Sequence, residues 1–202
     1  ACLDGLEEDR QACKQKIYDF NQLPPSRQSK EAPQMIKNIF GKTGENVWVE
    51  APFHCDYGWN IEVGENFYSN YNLTILDVGK VTCGKNVQIA PNVSIYTAGH
   101  PVHPDSRNSG YEYGIPVTVG DNVWIGGNTV ILPGVTVGSN VVIGAGSVVS
   151  KDIPDNTIAA GNPCKVIREI TDEDRIYYFK KQKFDDEAWE EVRRTVFFRV
   201  IG

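Results

Sequence analysis

The chain has 202 residues, with 20 Lys and Arg against 26 Asp and Glu, a formal net charge of −6 and a pI near 5.1. That length fits one domain with small appendages, and the acidic balance excludes a general polyanion binder, since neutralising phosphates takes clustered Lys and Arg. No signal peptide is read at the start, and no apolar run approaches the roughly 20 residues a membrane helix needs.

In chain order, residues 4–21 and 29–40 carry helix-compatible patterns, and Leu23-Pro24-Pro25-Ser26 breaks the helix between them. Residues 1–50 are therefore expected to form a helical cap. Further on, Cys83, Ile89 and Ile95 recur at a spacing of six, with Val81, Val87 and Val93 two positions ahead of each. The ladder resumes as Val119, Ile125, Ile131, Val137, Ile143 and Val149, paralleled by Val117, Val123, Thr129, Val135, Val141 and Ser147. Six consecutive hits argue against accidental spacing in a Val-rich sandwich.

A period of six fits neither a helix nor a long alternating strand. It fits short strands joined by sharp corners, with one large aliphatic residue per hexad pointing inward and Gly, Asn or Asp turning the chain. Three hexads would close a triangular coil of about eighteen residues, and such coils would stack about 4.8 Å apart as a parallel β-helix over residues 51–168. Between Gly58 and Gly161 lie 15 of the 19 glycines, and Asp121 is the only charge from Val119 to Val149. This stretch must bury much of itself.

The ladder breaks at about 97–116, a segment long enough to be functional. It holds His100, His103 and Glu112. Histidine suits proton transfer near neutrality, although a lone loop His is more often a surface residue. The H-x-x-H spacing raises a zinc site, but His54 is the only other His and the loop contains Pro, so no metal is expected. Among the last 35 residues 17 are charged, and Thr171-Asp172-Glu173-Asp174 is a helix-capping pattern ahead of Ile176, Tyr177 and Phe179. Residues 169–202 are expected as a helical tail, and both charged ends as covers for open sheet edges. Cys2, Cys13, Cys55, Cys83 and Cys164 are odd in number and lack a C-x-x-C pair, which predicts unpaired thiols in a reducing compartment.

N-V-W-I-G-G at 122–127, I-G-A-G-S-V-V at 143–149 and A-A-G-N-P-C-K-V-I-R at 159–168 resemble the left-handed β-helix hexapeptide acyltransferases. A-G-H-P-V-H at 98–103 and F-H-C-D-Y-G at 53–58 are similar to the galactoside and maltose O-acetyltransferase group within them. The resemblance spans about Gly5 to Phe179. It implies a mainly β fold, a left-handed parallel β-helix of hexapeptide repeats with helical ends and an extruded loop. It also implies acetyl-CoA as co-substrate and a cytoplasmic homotrimer with sites between subunits. The reaction implied is direct attack of a sugar hydroxyl on the thioester in a ternary complex.

By the same resemblance His100 is the general base and Asn70 positions or stabilises the oxyanion. Asn72 is its neighbouring rival, and an ordinary corner Asn is the plainer reading of Asn70. Acceptor contacts are implied at Asp56, Tyr68, Asn70, Asp77 and Glu112. Coenzyme contacts are implied at Trp124, Gly127, Ala145, Ser150, Lys151, Lys165 and Arg168, where cations could meet phosphate; for Trp124 simple packing is an equal alternative. Asp56, Glu112 and Asp77-Val78 stand where the galactoside branch has Ser, Met and Asp-Asp, which leans towards the maltose-type branch. The group's N-terminal acceptor carboxylate falls at or before Ala1, so Asp4 is not taken as its substitute. Two other readings keep part of this: a non-sugar hydroxyl acceptor, antibiotic or serine-like, and a non-catalytic β-helix module. An acceptor panel separates the first and coenzyme A binding the second.

Overall fold

A computed structural model describes residues 5–201, with side chains through residue 194; Cys2 and Asp4 lie outside the described residues. Two units result, residues 1–168 and 169–202. In the first, three sheets form the faces of a coil, and the successive coils pair in parallel up to Thr157–Ala160. Face one takes Val47–Val49, Phe67–Ser69, Gln88–Ile89, Trp124–Ile125, Val142–Ile143, Thr157–Ala160 and Lys165–Glu169. Face two takes Phe53–Cys55, Leu73–Leu76, Ser94–Tyr96, Val130–Ile131 and Val148–Val149, and face three Ile61–Val63, Val81–Cys83, Val117–Val119 and Thr136–Val137.

Register follows the hexads. Val117 sits on Val81 and Val119 on Cys83, so the ladder continues in space across the sequence gap of the loop. Two side chains per hexad point inward, where one was expected: Val117 and Val119, or Val141 and Ile143, are all buried. The reason is the in-out-in alternation of a three-residue strand. Where the inner position is Thr129, its hydroxyl donates to Gly126 O at 2.7 Å, which satisfies the buried polar group.

Asparagine turns the corners. Asn66, Asn86, Asn122, Asn140 and Asn156 have φ of 55–58°, a left-handed conformation that Asn tolerates better than other side chains. They follow face three, and each donates its side-chain amide to the next at 2.8–3.0 Å. Asn72, Asn92 and Asn128 turn the corner between faces one and two in the same way.

At the open end of the coil, α1 (Leu6–Asn21) and α2 (Pro25–Ile39) cover the core. The Asn21 amide takes the place of a missing strand, donating to Phe53 O and accepting from Phe53 N, each at 2.9 Å. The second helix starts at Pro25, ahead of the expected residue 29, because Pro at the first helical position lacks only an N–H that would be unsatisfied anyway. The coil likewise starts before residue 51, since Val47–Val49 already pairs with Phe67–Ser69.

Ala98–Gly99 and Tyr113–Gly114 pair antiparallel as the neck of the loop, which carries α3 (Pro104–Asn108). In the second unit the capping pattern starts only a 3₁₀ turn, Asp172–Ile176, with Asp174 accepting from Thr171 N at 2.9 Å. The expected helix over Ile176, Tyr177 and Phe179 is instead that turn and a hairpin, Tyr177–Phe179 with Gln182–Lys183. Tyr and Phe favour a strand, and Lys180 at φ 50° lies between its two strands. Helix α4 follows at Asp186–Ile201. Among the described residues Cys13, Cys55, Cys83 and Cys164 are free thiols, with Cys13 and Cys55 Sγ atoms 3.7 Å apart.

Candidate active site

Candidate chemistry gathers at the corner between faces two and three. In its first coil the corner holds Asp56 and Tyr57, and in the next Asp77. Asp77 is 0% exposed. Its Oδ1 accepts from the amides of Asp56 (2.8 Å) and Tyr57 (3.0 Å), and its Oδ2 from Gly58 N (2.7 Å). Burial pushes the Asp77 carboxyl above its usual value, against the pull of those amides. Both oxygens of Asp77, expected as an acceptor contact, face backbone inside the fold. Its work is to hold the segment that carries Asp56.

One coil further the corner opens into the loop. Gly99 lets the Tyr113 ring lie against the backbone, where a Cβ would come within 2.7 Å of Cε2. The next residue, His100, has Nδ1 3.0 Å from Tyr111 O. A carbonyl only accepts, so Nδ1 carries the hydrogen and Nε2 keeps its lone pair. That Nε2 lies 4.0 Å from Glu112 Oε1. His103 has a local role, with Nδ1 accepting from Asp105 N at 3.2 Å to cap α3. Among the described residues no group of three His, Cys, Asp or Glu is arranged to hold a metal.

Arg10 of α1 joins this corner, and sequence reasoning missed it. Its Nη2 is 3.0 Å from Asp56 Oδ1, and its guanidinium lies 5.5 Å from the Tyr57 ring centroid. Burial works against the Arg10 charge, and the fields of Asp56, Tyr57 and Glu112 outweigh it. Among the described residues, Arg10 Nε is buried without a hydrogen-bond partner. In the sequence it is one more charge on a helix, with no spacing to mark it. Ser150 and Lys151 are exposed at the same corner, just past Val148–Val149.

The other expected residues lie across face two. Asn72 is a corner residue, φ 63°, donating to Asn92 Oδ1 at 2.9 Å. Asn70 is not left-handed; its Oδ1 accepts from Tyr71 N at 2.7 Å, and among the described residues no partner takes its Nδ2 hydrogens. Tyr68 and Trp124 point outward from face one, and Trp124 is 56% exposed in the single chain. Gly127 and Ala145 stand at successive corners between faces one and two, and exposed Lys165 and Arg168 lie on the strand that extends face one. The expected coenzyme residues divide between two corners of the coil. In one chain, Trp124, Gly127, Ala145, Lys165 and Arg168 are separated by face two from Ser150 and Lys151. Face two separates Asn70 from His100 as well.

The "Maltose acetyltransferase hexapeptide capping motif" family matches residues 2–44, and the "Bacterial transferase hexapeptide (six repeats)" family residues 116–151. The galactoside O-acetyltransferase of Escherichia coli (strain K12) is 54% identical over 182 residues, 90% of this chain and 89% of that one. Among solved structures, a galactoside acetyltransferase in complex with coenzyme A aligns with a TM-score of 0.89 and 52% identity over 92% of each chain. A maltose O-acetyltransferase from Clostridium difficile 630 aligns at 0.82, with 52% identity over 84% of this chain and 90% of that one. Equal identity to the two does not separate the galactoside and maltose branches. With its hexad coil, its capping helices and likeness over 90% of its length, the chain belongs to the hexapeptide-repeat acetyltransferase family, in the galactoside and maltose O-acetyltransferase group.

Proposed function

We propose that the protein transfers the acetyl group of acetyl-CoA to a sugar hydroxyl, at a site that two copies of the chain complete within a homotrimer. The observation that carries this reading is His100, whose Nδ1 is fixed by Tyr111 O at 3.0 Å so that Nε2 is free to act as a base. As the acceptor oxygen attacks the thioester carbonyl carbon, Nε2 takes the hydroxyl proton. Asn70 of the neighbouring copy donates its unpartnered Nδ2–H to the oxyanion. When the carbon–sulfur bond breaks, the imidazolium returns the proton to the departing thiolate, and His100 is neutral again. Glu112 stands beside the transient positive charge, while Arg10 and Asp56 offer a donor and an acceptor to the sugar's other hydroxyls.

The order of residues along the coil supports the shared site. One corner runs Asp56, His100, then Ser150 and Lys151; the other runs Asn70, Gly127, then Ala145. Each therefore leads from acceptor groups to coenzyme groups, and a head-to-tail cyclic contact would set the two rows facing each other. Trp124 offers an apolar surface to the pantetheine arm, and Lys151, Lys165 and Arg168 offer cations to the phosphates. The odd cysteine count and the unlinked Cys13 and Cys55 thiols favour a reducing compartment such as the cytoplasm. No helix among the described residues is long and apolar enough to cross a membrane.

Replacing the base tests the reading. His100→Ala is expected to lower kcat about 10²–10⁴-fold while calorimetric acetyl-CoA affinity stays within a few-fold. Near-wild-type turnover would overturn it.

A further inference from the structure

We propose that Tyr57 and Trp59 form an aromatic platform for a second sugar ring of the acceptor, so that this corner reads a disaccharide rather than one ring alone. The inference rests on the sugar-acetylating reading above and names the part of the acceptor that lies away from the reacting hydroxyl.

Trp59 is 50% exposed and takes no part in the hexad ladder. Its ring centroid is 5.6 Å from that of Tyr57, with 50° between the planes. The other neighbour of Tyr57 is the Arg10 guanidinium, 5.5 Å from its centroid, which holds Asp56 and feels Glu112. A run of contacts therefore leads from Asp56 through Arg10 and Tyr57 to Trp59, at the corner between faces two and three that also carries His100 and Glu112. Pyranose rings present C–H faces suited to aromatic surfaces and hydroxyl rims suited to charged groups, and both kinds of surface stand side by side here. Trp48 spends its Nε1–H on Glu50 at 2.8 Å, whereas among the described residues Trp59 Nε1 has no partner.

The platform is also rigid. Asp77 holds the amides of residues 56–58, and Asn60 Nδ2 donates to Asp77 O at 2.7 Å. Gly58, at φ 76°, lies where a Cβ would come within 2.5 Å of Ile39 O, so the turn is locked against the end of α2. A pre-formed surface avoids most of the ordering entropy of binding. With its backbone held this firmly, the half-buried Tyr57 and the half-exposed Trp59 present a ring surface suited to a ligand rather than to the core.

The test compares maltose with glucose as acceptors. In Trp59→Ala the maltose-to-glucose ratio of kcat/KM is expected to fall about tenfold, carried by KM, and Trp59→Tyr is expected to restore most of it. An unchanged ratio, or an equal fall for both sugars, would overturn the platform; Trp59→Leu, which keeps apolar bulk without the flat aromatic face, gives the same comparison if the alanine variant does not fold. Calorimetry of both sugars without acetyl-CoA separates the two inferences. Tighter binding of maltose that Trp59→Ala removes supports the platform even if neither sugar is acetylated. The absence of that preference in the wild type defeats it even if both are.

Discussion

Asp77 and His100 show how one corner divides its labour between support and chemistry. The Asp77 carboxylate satisfies three amides, which a carboxamide cannot do: Asn would accept through one oxygen and turn its own N–H groups towards a donor. Asp77→Asn is therefore expected to cost about 1–3 kcal/mol in urea denaturation at neutral pH. Burial raises the native carboxyl, so the folded state holds this proton more tightly than the unfolded chain. Asp77's contribution to stability is thus full below its unfolded value of about 3.9 and shrinks as pH rises through the native one. The stability gap between wild type and variant should narrow as pH rises from the unfolded value of about 3.9, and a gap that stays constant or widens would contradict the assignment. At this scale the sequence is readable where a motif frames the residue, as G-H-P frames His100. It is not readable where burial decides, since nothing local marks Asp77 as enclosed, or where distant elements meet, as with Arg10 and Asp56.

The corner asparagines do for the elements what Asp77 does for one turn. Each combines a left-handed backbone with an amide that bonds the next coil, so the two contributions can be separated by substitution. Asn122→Gly keeps the conformation and loses the bonds to Asn86 and Asn140. Asn122→Val loses the bonds and adds a β-branched side chain at φ 57°, a further strain of roughly 1–2 kcal/mol. Thermal melts should rank wild type above Asn122→Gly and Asn122→Gly above Asn122→Val; equal melting of the two variants would remove the conformational part of the argument. The hexad coil is legible in the sequence because its period belongs to no other element. The ends are less so. Pro25 reads as a breaker yet starts a helix, and the Thr171 capping pattern gives one 3₁₀ turn because the residues after it favour strands.

At the scale of the molecule, the coil gives the site its most demanding property. Face two keeps His100 and Asn70 apart within one chain, as it does the two halves of the coenzyme set. The sequence holds both sets without showing this, because corner membership depends on counting coils through a loop that interrupts the count. Mixed oligomers test the shared site most directly. When His100→Ala and Asn70→Ala chains, each nearly inactive alone, are co-expressed in equal amounts, a random cyclic trimer joins an intact His100 corner to an intact Asn70 corner at about a quarter of its interfaces. Specific activity should recover to about a quarter of wild type. Mixed trimers no more active than either variant alone would mean that His100 and Asn70 act within the same chain, and would contradict the account.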